Sequence, residues 1–435
     1  MKSGKWNRAT TLFLVAAMAI ASLICAPSAV AANNNGATDQ LVVDPLIHLN
    51  QLAQLTAAGG RAGDEFGLTI AVCGHTIVVG ASELNSSTIG AAYVFVEGPN
   101  GWANMTQTAK LTASDGKQGA LFGSSVACSG NTVVIGAPDQ QVGANQMQGE
   151  AYVFVEPRGG WVDMTETARL TSLDGNTSDF FGYSVAVSGK TIAVGAPQAS
   201  GQVAAQGKAY IFEKPKGGWK TSSSAAAILT ASNAQFDNGL GVSLSLGGNP
   251  RTGYTLAVGA AGVNSVTGAV YVFVEPQGGW KTTSNFNAEL TASDGQHDSA
   301  LGYSVSISGN VIAAGAYEAN ATYIFVEPPA GWANSKETAK VTASLGVGPG
   351  SNFGYSVSLR GNRLAVGSAN DPSQSSVFVF TKPASGWKST STYAARLTSS
   401  DGYGFGFSVA VGNGTIAAGS IGVNGLQGTA YVFGK

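Results

Sequence analysis

Charged residues are scarce in this chain of 435 residues, and neither sign predominates. Lys and Arg number 23 and Asp and Glu 25, so charged residues make up 11% of the sequence and the formal net charge is -2. This share is under half of what a soluble protein usually carries, which excludes a fold made mostly of solvated helices. Without a basic excess, we expect neither a nucleic acid nor an anionic membrane surface as a partner.

Histidine and cysteine are also scarce, with three of each. His48, His75 and His297 occupy unrelated positions in the sequence, so no Ser-His-Asp arrangement and no zinc-like ligand spacing is evident. We therefore expect a protein that is not an enzyme. Paired carboxylates, which glycosidases use, leave an enzyme acting on polysaccharide as an alternative.

Long apolar runs are confined to the N-terminus. Lys2, Lys5 and Arg8 precede an apolar stretch over residues 11–25, and small residues follow at 29–31. This pattern is typical of an export signal peptide, which we predict for residues 1–31, followed by a flexible linker at 32–45. No later segment approaches the ~20 consecutive apolar residues of a membrane helix. We expect a secreted or periplasmic mature protein with no membrane span.

Glycine is abundant, with 60 residues, and 44% of the chain is hydrophobic. Both are arranged in a unit that occurs seven times. Each unit begins with Phe-Gly or Leu-Gly and an apolar strand, then reaches a Gly-Ala or Gly-Ser element and an aromatic-rich strand such as 151–154. The first residues of the seven units are Phe66, Phe122, Phe181, Leu240, Leu301, Phe353 and Phe405.

Six units continue through a Gly-Trp pair to a Leu-Thr or Val-Thr strand. Four short strands separated by glycine turns predict a propeller blade. The last unit lacks its fourth strand, whereas residues 49–57, ahead of the first unit, match residues 105–113 in register. We therefore predict an all-β, seven-bladed β-propeller of four-stranded blades over residues 46–435, closed by an N-terminal strand that completes the last blade.

The units resemble the FG-GAP repeat. Phe181-Gly182 followed by Gly195-Ala196-Pro197 carries the resemblance most clearly, and all seven units keep the two elements in phase. FG-GAP repeats build the seven-bladed propeller of integrin alpha subunits and of many exported bacterial proteins, so the resemblance implies this fold over nearly the whole mature chain. The calcium loops of integrins are absent from the turns that correspond to them, such as 72–75 and 412–414, so integrin-like calcium binding is not implied.

An Asp-Gly pair recurs between the last strand of one unit and the Phe-Gly of the next, at Asp115, Asp174, Asp294 and Asp401. A turn residue whose carboxylate bonds its own backbone explains this pattern. A shallow calcium site is the alternative hypothesis. It is best met by Asp174, Asn176 and Asp179, whose oxygen ligands lie two and three residues apart. We expect no other cofactor.

Two further residue types have both a structural and a functional interpretation. Cys73 and Cys128 lie near the ends of corresponding strands in successive units, where a disulfide and a pair of buried free thiols are equal alternatives. The repeat tryptophans are expected to anchor outer strands by apolar burial with their indole N–H groups hydrogen-bonded, and sugar platforms are the alternative. They are Trp102, Trp161, Trp219, Trp280, Trp332 and Trp387.

The segments that follow the Gly-Ala elements differ between units in length and content. We expect them to share one face of the propeller with the Asp-Gly connections. Their polar side chains are the candidate ligand-binding residues, namely Asn85, Gln140, Gln141, Asn145, Gln146 and Asp371. The sequence thus predicts an exported, monomeric, non-catalytic recognition or adhesion module that binds a protein or a surface carbohydrate through this face. A purely structural extracellular protein is a further alternative.

Overall fold

The computed structural model describes residues 47–82, 89–249, 251–295, 297–344, 350–370, 375–399 and 404–435. The predicted signal peptide and linker lie outside these residues. The strands are short and alternate large with small side chains, because each sheet is covered on both faces by its neighbours. They are β1 Asn50–Thr56, β2 Thr69–Cys73, β3 Thr76–Ala81, β4 Ala91–Val96, β5 Met105–Thr106, β6 Ala109–Thr112, β7 Ser125–Ser129, β8 Thr132–Ala137, β9 Glu150–Val155, β10 Met164–Thr165, β11 Ala168–Leu170, β12 Ser184–Ser188, β13 Thr191–Ala196, β14 Lys208–Glu213, β15 Ala227–Leu229, β16 Ser243–Asn249, β17 Gly253–Ala260, β18 Ala269–Val274, β19 Ala288–Thr291, β20 Ser304–Ser308, β21 Val311–Ala316, β22 Ala321–Val326, β23 Ser335–Lys336, β24 Ala339–Val341, β25 Phe353–Arg360, β26 Arg363–Ser368, β27 Ser376–Thr381, β28 Ala395–Leu397, β29 Phe405–Val411, β30 Ile416–Ser420 and β31 Thr429–Gly434.

These strands form seven sheets, which are the seven blades of a β-propeller. In order from the inner strand outward they are β2-β3-β4-β6, β7-β8-β9-β11, β12-β13-β14-β15, β16-β17-β18-β19, β20-β21-β22-β24, β25-β26-β27-β28 and β29-β30-β31-β1. The inner strands of neighbouring blades pack against one another around the central axis. Between β17 and β18, residues Val263–Val266 form a short turn in which Asn264, Ser265 and Val266 have positive φ, so this segment is not a regular α-helix. The predicted fold is confirmed.

The N-terminal strand closes the ring. Strand β1 pairs antiparallel with β31, with Asn50 opposite Gly434 and Leu55 opposite Ala430. It therefore occupies the outer position of the seventh blade, as the sequence predicted. Three sheets differ from the expected four strands, because the two-residue strands β5, β10 and β23 add in parallel to the outer strands β1, β6 and β19.

The antiparallel order of each blade divides the connections between two faces of the ring. One face carries the segments from the second to the third strand and from the fourth strand to the next blade, and we call it the loop face. The opposite face carries the tight turns between first and second strands and the Gly-Trp connections, and we call it the turn face. The described Asp-Gly pairs and the described parts of the variable segments therefore share the loop face, as expected.

The repeated Phe-Gly and Gly-Ala elements meet at the seam between blades. The glycine that follows Phe or Leu has φ between +84° and +97°, a region that glycine enters without strain. Its carbonyl oxygen lies against the Gly-Ala glycine of the preceding blade, as Gly241 does against Gly195, so a Cβ atom there would overlap it. The same oxygen accepts a hydrogen bond from a Ser or Thr hydroxyl of the preceding blade at 2.7–3.0 Å.

This seam occurs seven times and closes on itself. The hydroxyl donors are Thr69, Ser125, Ser184, Ser243, Ser304, Ser356 and Ser408, and the last of them donates to Gly67 of the first blade. The hydrophobic core is divided in the same way, because each of seven buried clusters combines residues of two adjacent blades. The repeat motif is thus a device for joining blades.

Five of the repeat tryptophans are buried, with 5–8% of each residue exposed, and Trp102 is half-buried. Their apolar anchoring is as expected, but the expected hydrogen bonds are absent at four of them. The indole Nε1 atoms of Trp219, Trp280, Trp332 and Trp387 have no hydrogen-bond partner among the described residues. These rings pack into the apolar clusters between blades, where the free energy of burial offsets the unpaired N–H group.

Candidate functional site

The Asp-Gly carboxylates join neighbouring blades. The hydroxyl of Tyr323, on the third strand of the fifth blade, donates to Asp294 Oδ1 at 2.8 Å, and Lys340 Nζ lies 2.6 Å from Asp294 Oδ2. Asp115 is bonded in the same way by Tyr152 and Arg169. We expected these carboxylates to accept hydrogen bonds within their own turns. In the structure they also bond side chains of the next blade, so each turn is anchored to that blade. Asp401 lies outside the described residues.

The three proposed calcium ligands have protein partners. Asp174 Oδ2 lies 2.6 Å from Lys208 Nζ, and its Oδ1 accepts a 3.0 Å hydrogen bond from the hydroxyl of Tyr210. Burial raises the pKa of Asp174, but the hydrogen bond and the charge of Lys208 outweigh it and hold that pKa below its usual value. Asp179 Oδ2 accepts the backbone N–H of Asn176 at 2.8 Å. In the described ranges, no group of three or more His, Cys, Asp or Glu residues is placed to hold a metal.

The predicted ligand-binding residues fall into three groups. Gln140 is buried and its Nε2 lies 3.5 Å from Asp115 Oδ2, while Asn145 Nδ2 donates to Gln148 and to the carbonyl of Gly175. These two side chains brace the loop face. Gln141 and Gln146 are exposed there and remain candidates. Asn85 and Asp371 lie outside the described residues.

The two cysteines of the propeller are joined. A disulfide links Cys73 and Cys128, with the Cα atoms 5.9 Å apart. Cys73 is the last residue of β2, whereas Cys128 is the next-to-last residue of β7, so the bond joins the inner strands of the first two blades near the turn face.

A cluster of aromatic rings, not foreseen from the sequence, lies on the loop face. Tyr303, Tyr355 and Phe407 stand directly after the Phe-Gly or Leu-Gly pair of blades five, six and seven, and Tyr317 follows β21 of blade five. The ring centroids are 5.1 Å apart for Tyr303 and Tyr355, 4.6 Å for Tyr303 and Tyr317, and 4.7 Å for Tyr355 and Phe407. The Tyr303 hydroxyl lies 3.2 Å from the Tyr355 hydroxyl.

This cluster reaches across the central axis. Tyr183 occupies the corresponding position of the third blade, and burial, together with the charges of Tyr303 and Asp139, raises its pKa. Burial also raises the pKa of Tyr355, and Tyr183 and Tyr317 contribute to the same shift. Because blades three and six are not neighbours in a seven-membered ring, side chains from both can influence each other only near the axis. We call Tyr183, Tyr303, Tyr317, Tyr355 and Phe407 the axial aromatic cluster.

A carboxyl group of the second blade interacts with this cluster. Burial raises the pKa of Asp139 to about 6, and this carboxyl is close enough to Tyr183 to raise the pKa of its hydroxyl as well. Ser124 occupies the position that Tyr183 has in the third blade, and its Oγ is buried without a hydrogen-bond partner among the described residues. All five aromatic residues are half-buried. The arrangement combines aromatic rings with polar groups, which suits a ligand with one apolar and one polar face.

A sequence signal for this site existed. One residue separates the Phe-Gly or Leu-Gly pair from the Ser or Thr whose hydroxyl bonds the next blade. The contacts at the seam do not use the side chain of this residue, so it can differ between repeats. It is aromatic in four of the seven units and small or aliphatic in the other three, where it is Leu68, Ser124 and Val242. Variation at one fixed repeat position marks a place where blades have different roles.

A pair of carboxylates also lies on the loop face, at Asp115 and Glu150. The Tyr152 hydroxyl lies 3.0 Å from Asp115 Oδ1 and 3.2 Å from Glu150 Oε2, and Arg169 forms ion pairs with both carboxylates. Burial, followed by the charge of Asp115, raises the pKa of Glu150 to about 7. Tyr152 and Arg169 already bond both carboxylates, so these four side chains form an internal hydrogen-bond and ion-pair network.

Comparison with known proteins gives one family. The FG-GAP repeat matches residues 49–95, 105–154, 164–212 and 285–325. No curated protein matches the chain. Among solved structures, the crystal structure of Sqt1 from Chaetomium thermophilum is similar, with 15% sequence identity and a TM-score of 0.48, over 86% of this chain and 83% of that one. In the described part of the chain, no helix has the length and apolar character needed to span a membrane. Each matched region begins in or beside an outer strand and covers the first three strands of the following blade, so the chain contains FG-GAP repeats in four regions of a seven-bladed β-propeller.

Proposed function

We propose that this protein is an exported, non-catalytic recognition module that binds a carbohydrate through the axial aromatic cluster. The observation that carries the proposal is the contact between aromatic side chains from blades five, six and seven at one end of the axis. The seams and the core do not require aromatic residues at this position, since three other blades lack them.

The chemistry of the cluster favours a sugar over a flat apolar ligand. The C–H faces of a pyranose ring pack against tyrosine rings, and its hydroxyl groups need polar partners at the edge of the site. Tyrosine hydroxyls and the carboxyl of Asp139 supply such partners. Export, which the basic residues and apolar run before residue 31 support, places the module where extracellular glycans occur.

A glycan and polysaccharide array tests the proposal, with the chain that lacks residues 1–31 as the probe, with and without calcium. We expect retention on a neutral glycan without release of product. Tyr303→Ala and Tyr355→Ala should each weaken that retention about fivefold to tenfold, because the loss of one aromatic contact is worth about 1–1.4 kcal/mol. Leu173→Ala, at an exposed loop-face residue, is the matched control and should bind normally.

Three outcomes would contradict the proposal. Equal retention of the aromatic variants and the native protein would remove the cluster as the site. Release of product would make the protein an enzyme, and silence on every glycan would redirect the search to protein partners. Thermal unfolding of each variant shows whether the propeller is intact.

A further inference from the structure

The Gly-Trp connections on the turn face share one backbone. In the first six blades they run from the third to the fourth strand, and the glycine before each tryptophan has φ between +89° and +103°. In blades two to six, a proline, a glycine and a tryptophan hold fixed places in this connection, and the first blade has Gly98 in place of the proline. The residues before the proline, after the proline and after the tryptophan are free to differ, so a departure at these positions needs another reason.

Blade three has lysine at all three free positions, in the segment Lys214-Pro215-Lys216-Gly217-Gly218-Trp219-Lys220. Lys216 and Lys220 are exposed, and Lys214 is half-buried. The backbone N–H of Lys214 donates to the carbonyl of Lys190 at 2.7 Å, which brings an exposed fourth lysine beside the segment. The corresponding segment of blade five carries Glu327, Pro329 and Ala333 on the same backbone.

Blade four extends this basic surface. Its turn between first and second strands carries Arg251, and its Gly-Trp connection carries Lys281, both exposed. The hydroxyl of Ser188 donates to the carbonyl of Gly248 at 3.2 Å and joins the turns of blades three and four. We call Lys190, Lys214, Lys216, Lys220, Arg251 and Lys281 the basic turn-face patch.

Acidic residues leave most of this charge uncompensated. Glu213 lies 3.8 Å from Lys190, and Glu275 accepts the backbone N–H of Tyr254 at 3.2 Å. Within the described ranges, none of the other five basic residues of the patch forms an ion pair. A chain with a net charge of -2 therefore carries a group of six basic residues on two adjacent blades, and a second group, Arg360, Arg363, Lys382 and Lys388, lies on the turn face of blade six.

We propose that the basic turn-face patch docks an anionic polysaccharide that carries carboxylate or sulfate groups. Exposed lysines on separate loops act as point charges that follow a flexible polyanion without a fixed geometry. A lipid surface fits less well, because Trp219 and Trp280, the rings that would enter a membrane interface, are buried, with 5% and 7% exposed. The patch faces away from the axial aromatic cluster, so the two sites can be occupied together.

Salt-dependent binding to immobilised heparin and to polygalacturonate tests this proposal, with neutral dextran as the blank. We expect the native protein to be retained at about 50 mM NaCl and released well below 500 mM, as a contact made by several exposed lysines requires. The variant Lys214→Gln/Lys216→Gln/Lys220→Gln should bind about tenfold or more weakly, with a smaller dependence on salt. Arg61→Gln/Lys117→Gln/Lys435→Gln removes the same charge at exposed residues outside the turn-face connections of blades three, four and six, and this variant should bind like the native protein.

Equal loss in the two triple variants would overturn the patch as a specific surface, as would a failure to bind either polyanion. Retention on phosphatidylserine vesicles without retention on the polysaccharides would replace the proposed partner with a membrane. Tyr303→Ala should leave heparin binding unchanged, which separates this proposal from the function proposed for the loop face.

Discussion

At the scale of single residues, the contacts between blades explain why the repeat keeps its glycines. At the seam of blades three and four, Gly195 lies against the carbonyl oxygen of Gly241, and the hydroxyl of Ser184 donates to the same oxygen at 2.7 Å. A Cβ atom at this glycine would overlap the Gly241 carbonyl oxygen first, so the added side chain would have to displace backbone as well as the Ser184 hydroxyl.

Gly195→Ala tests this account. The added Cβ atom would overlap the Gly241 carbonyl, so we expect the free energy of unfolding to fall by about 3 kcal/mol, the upper end of the usual cost of overpacking. Chemical denaturation measures the change. Gly159→Ala is the control, since a Cβ atom there meets open space. Equal stability of the two variants would contradict this account, because it would show that the contact between blades accommodates a Cβ atom at Gly195 at no cost in stability.

A second residue-scale prediction concerns pH. The pKa of Glu150 is raised to about 7 in the folded protein, from an ordinary value of 4.5, chiefly by burial. The folded state therefore binds this proton more tightly than the unfolded chain. The contribution of Glu150 to the free energy of unfolding is therefore fully present below pH 4.5. It is lost as the pH rises through 7.

The measurement is the free energy of unfolding at pH 4.5 and pH 8. Relative to Glu150→Gln, the native protein should lose about 2–3 kcal/mol between these values. Glu156→Gln, on the turn face, should keep the native pH dependence. Parallel pH profiles for the native protein and Glu150→Gln would contradict the assignment.

At the scale of elements, the arrangement of the ring depends on β1. This strand supplies the outer edge of the seventh blade, and its Leu55 is fully buried in the core between the last and first blades. Without it, β31 would expose an unpaired edge and the ring would lose one of its closing contacts.

Removing residues 46–57 should therefore abolish cooperative unfolding. Thermal unfolding followed by circular dichroism measures this, and a synthetic peptide with the sequence of residues 46–57, added in excess, should restore part of the transition by pairing with β31. A deletion variant that melts like the intact protein would refute closure by this strand.

At the scale of the whole molecule, the disulfide fixes the first two blades to each other. Cys73 and Cys128 are 55 residues apart in sequence, and a crosslink of that span reduces the entropy of the unfolded chain by an amount worth about 4 kcal/mol at most. It reinforces the seam next to the one that β1 closes.

The variant Cys73→Ser/Cys128→Ser should unfold with about 2–4 kcal/mol less free energy than the native protein. Reductant should lower the midpoint of denaturation of the native protein to that of the variant and leave the variant unchanged. A native protein insensitive to reductant under unfolding conditions would contradict a stabilising crosslink.

The net charge of the chain does not predict where charged residues lie on its surface. A formal charge of -2 led us to expect neither a nucleic acid nor an anionic membrane surface as a partner, which stays a prediction. The same sum does not reveal that Lys214, Lys216 and Lys220 occupy one connection of blade three. A sum over the chain carries no information about where charges lie. Comparing equivalent loops between blades does show where charges lie. Because these loops share one backbone conformation, a residue that differs between them is not required by that conformation.

The sequence by itself determined the number of blades, their boundaries and the closing strand. Seven in-phase units cannot bury their apolar faces alone, so each must pack on the next, and the match of residues 49–57 to residues 105–113 leaves one place for the N-terminal strand. Only the tertiary structure decided which side chains meet. The axial aromatic cluster, the Asp294–Tyr323 bond and the unpaired indole N–H groups depend on contacts between residues of different blades. The repeat pattern places each residue within its blade, but distances across a seam or the axis follow from the closed ring.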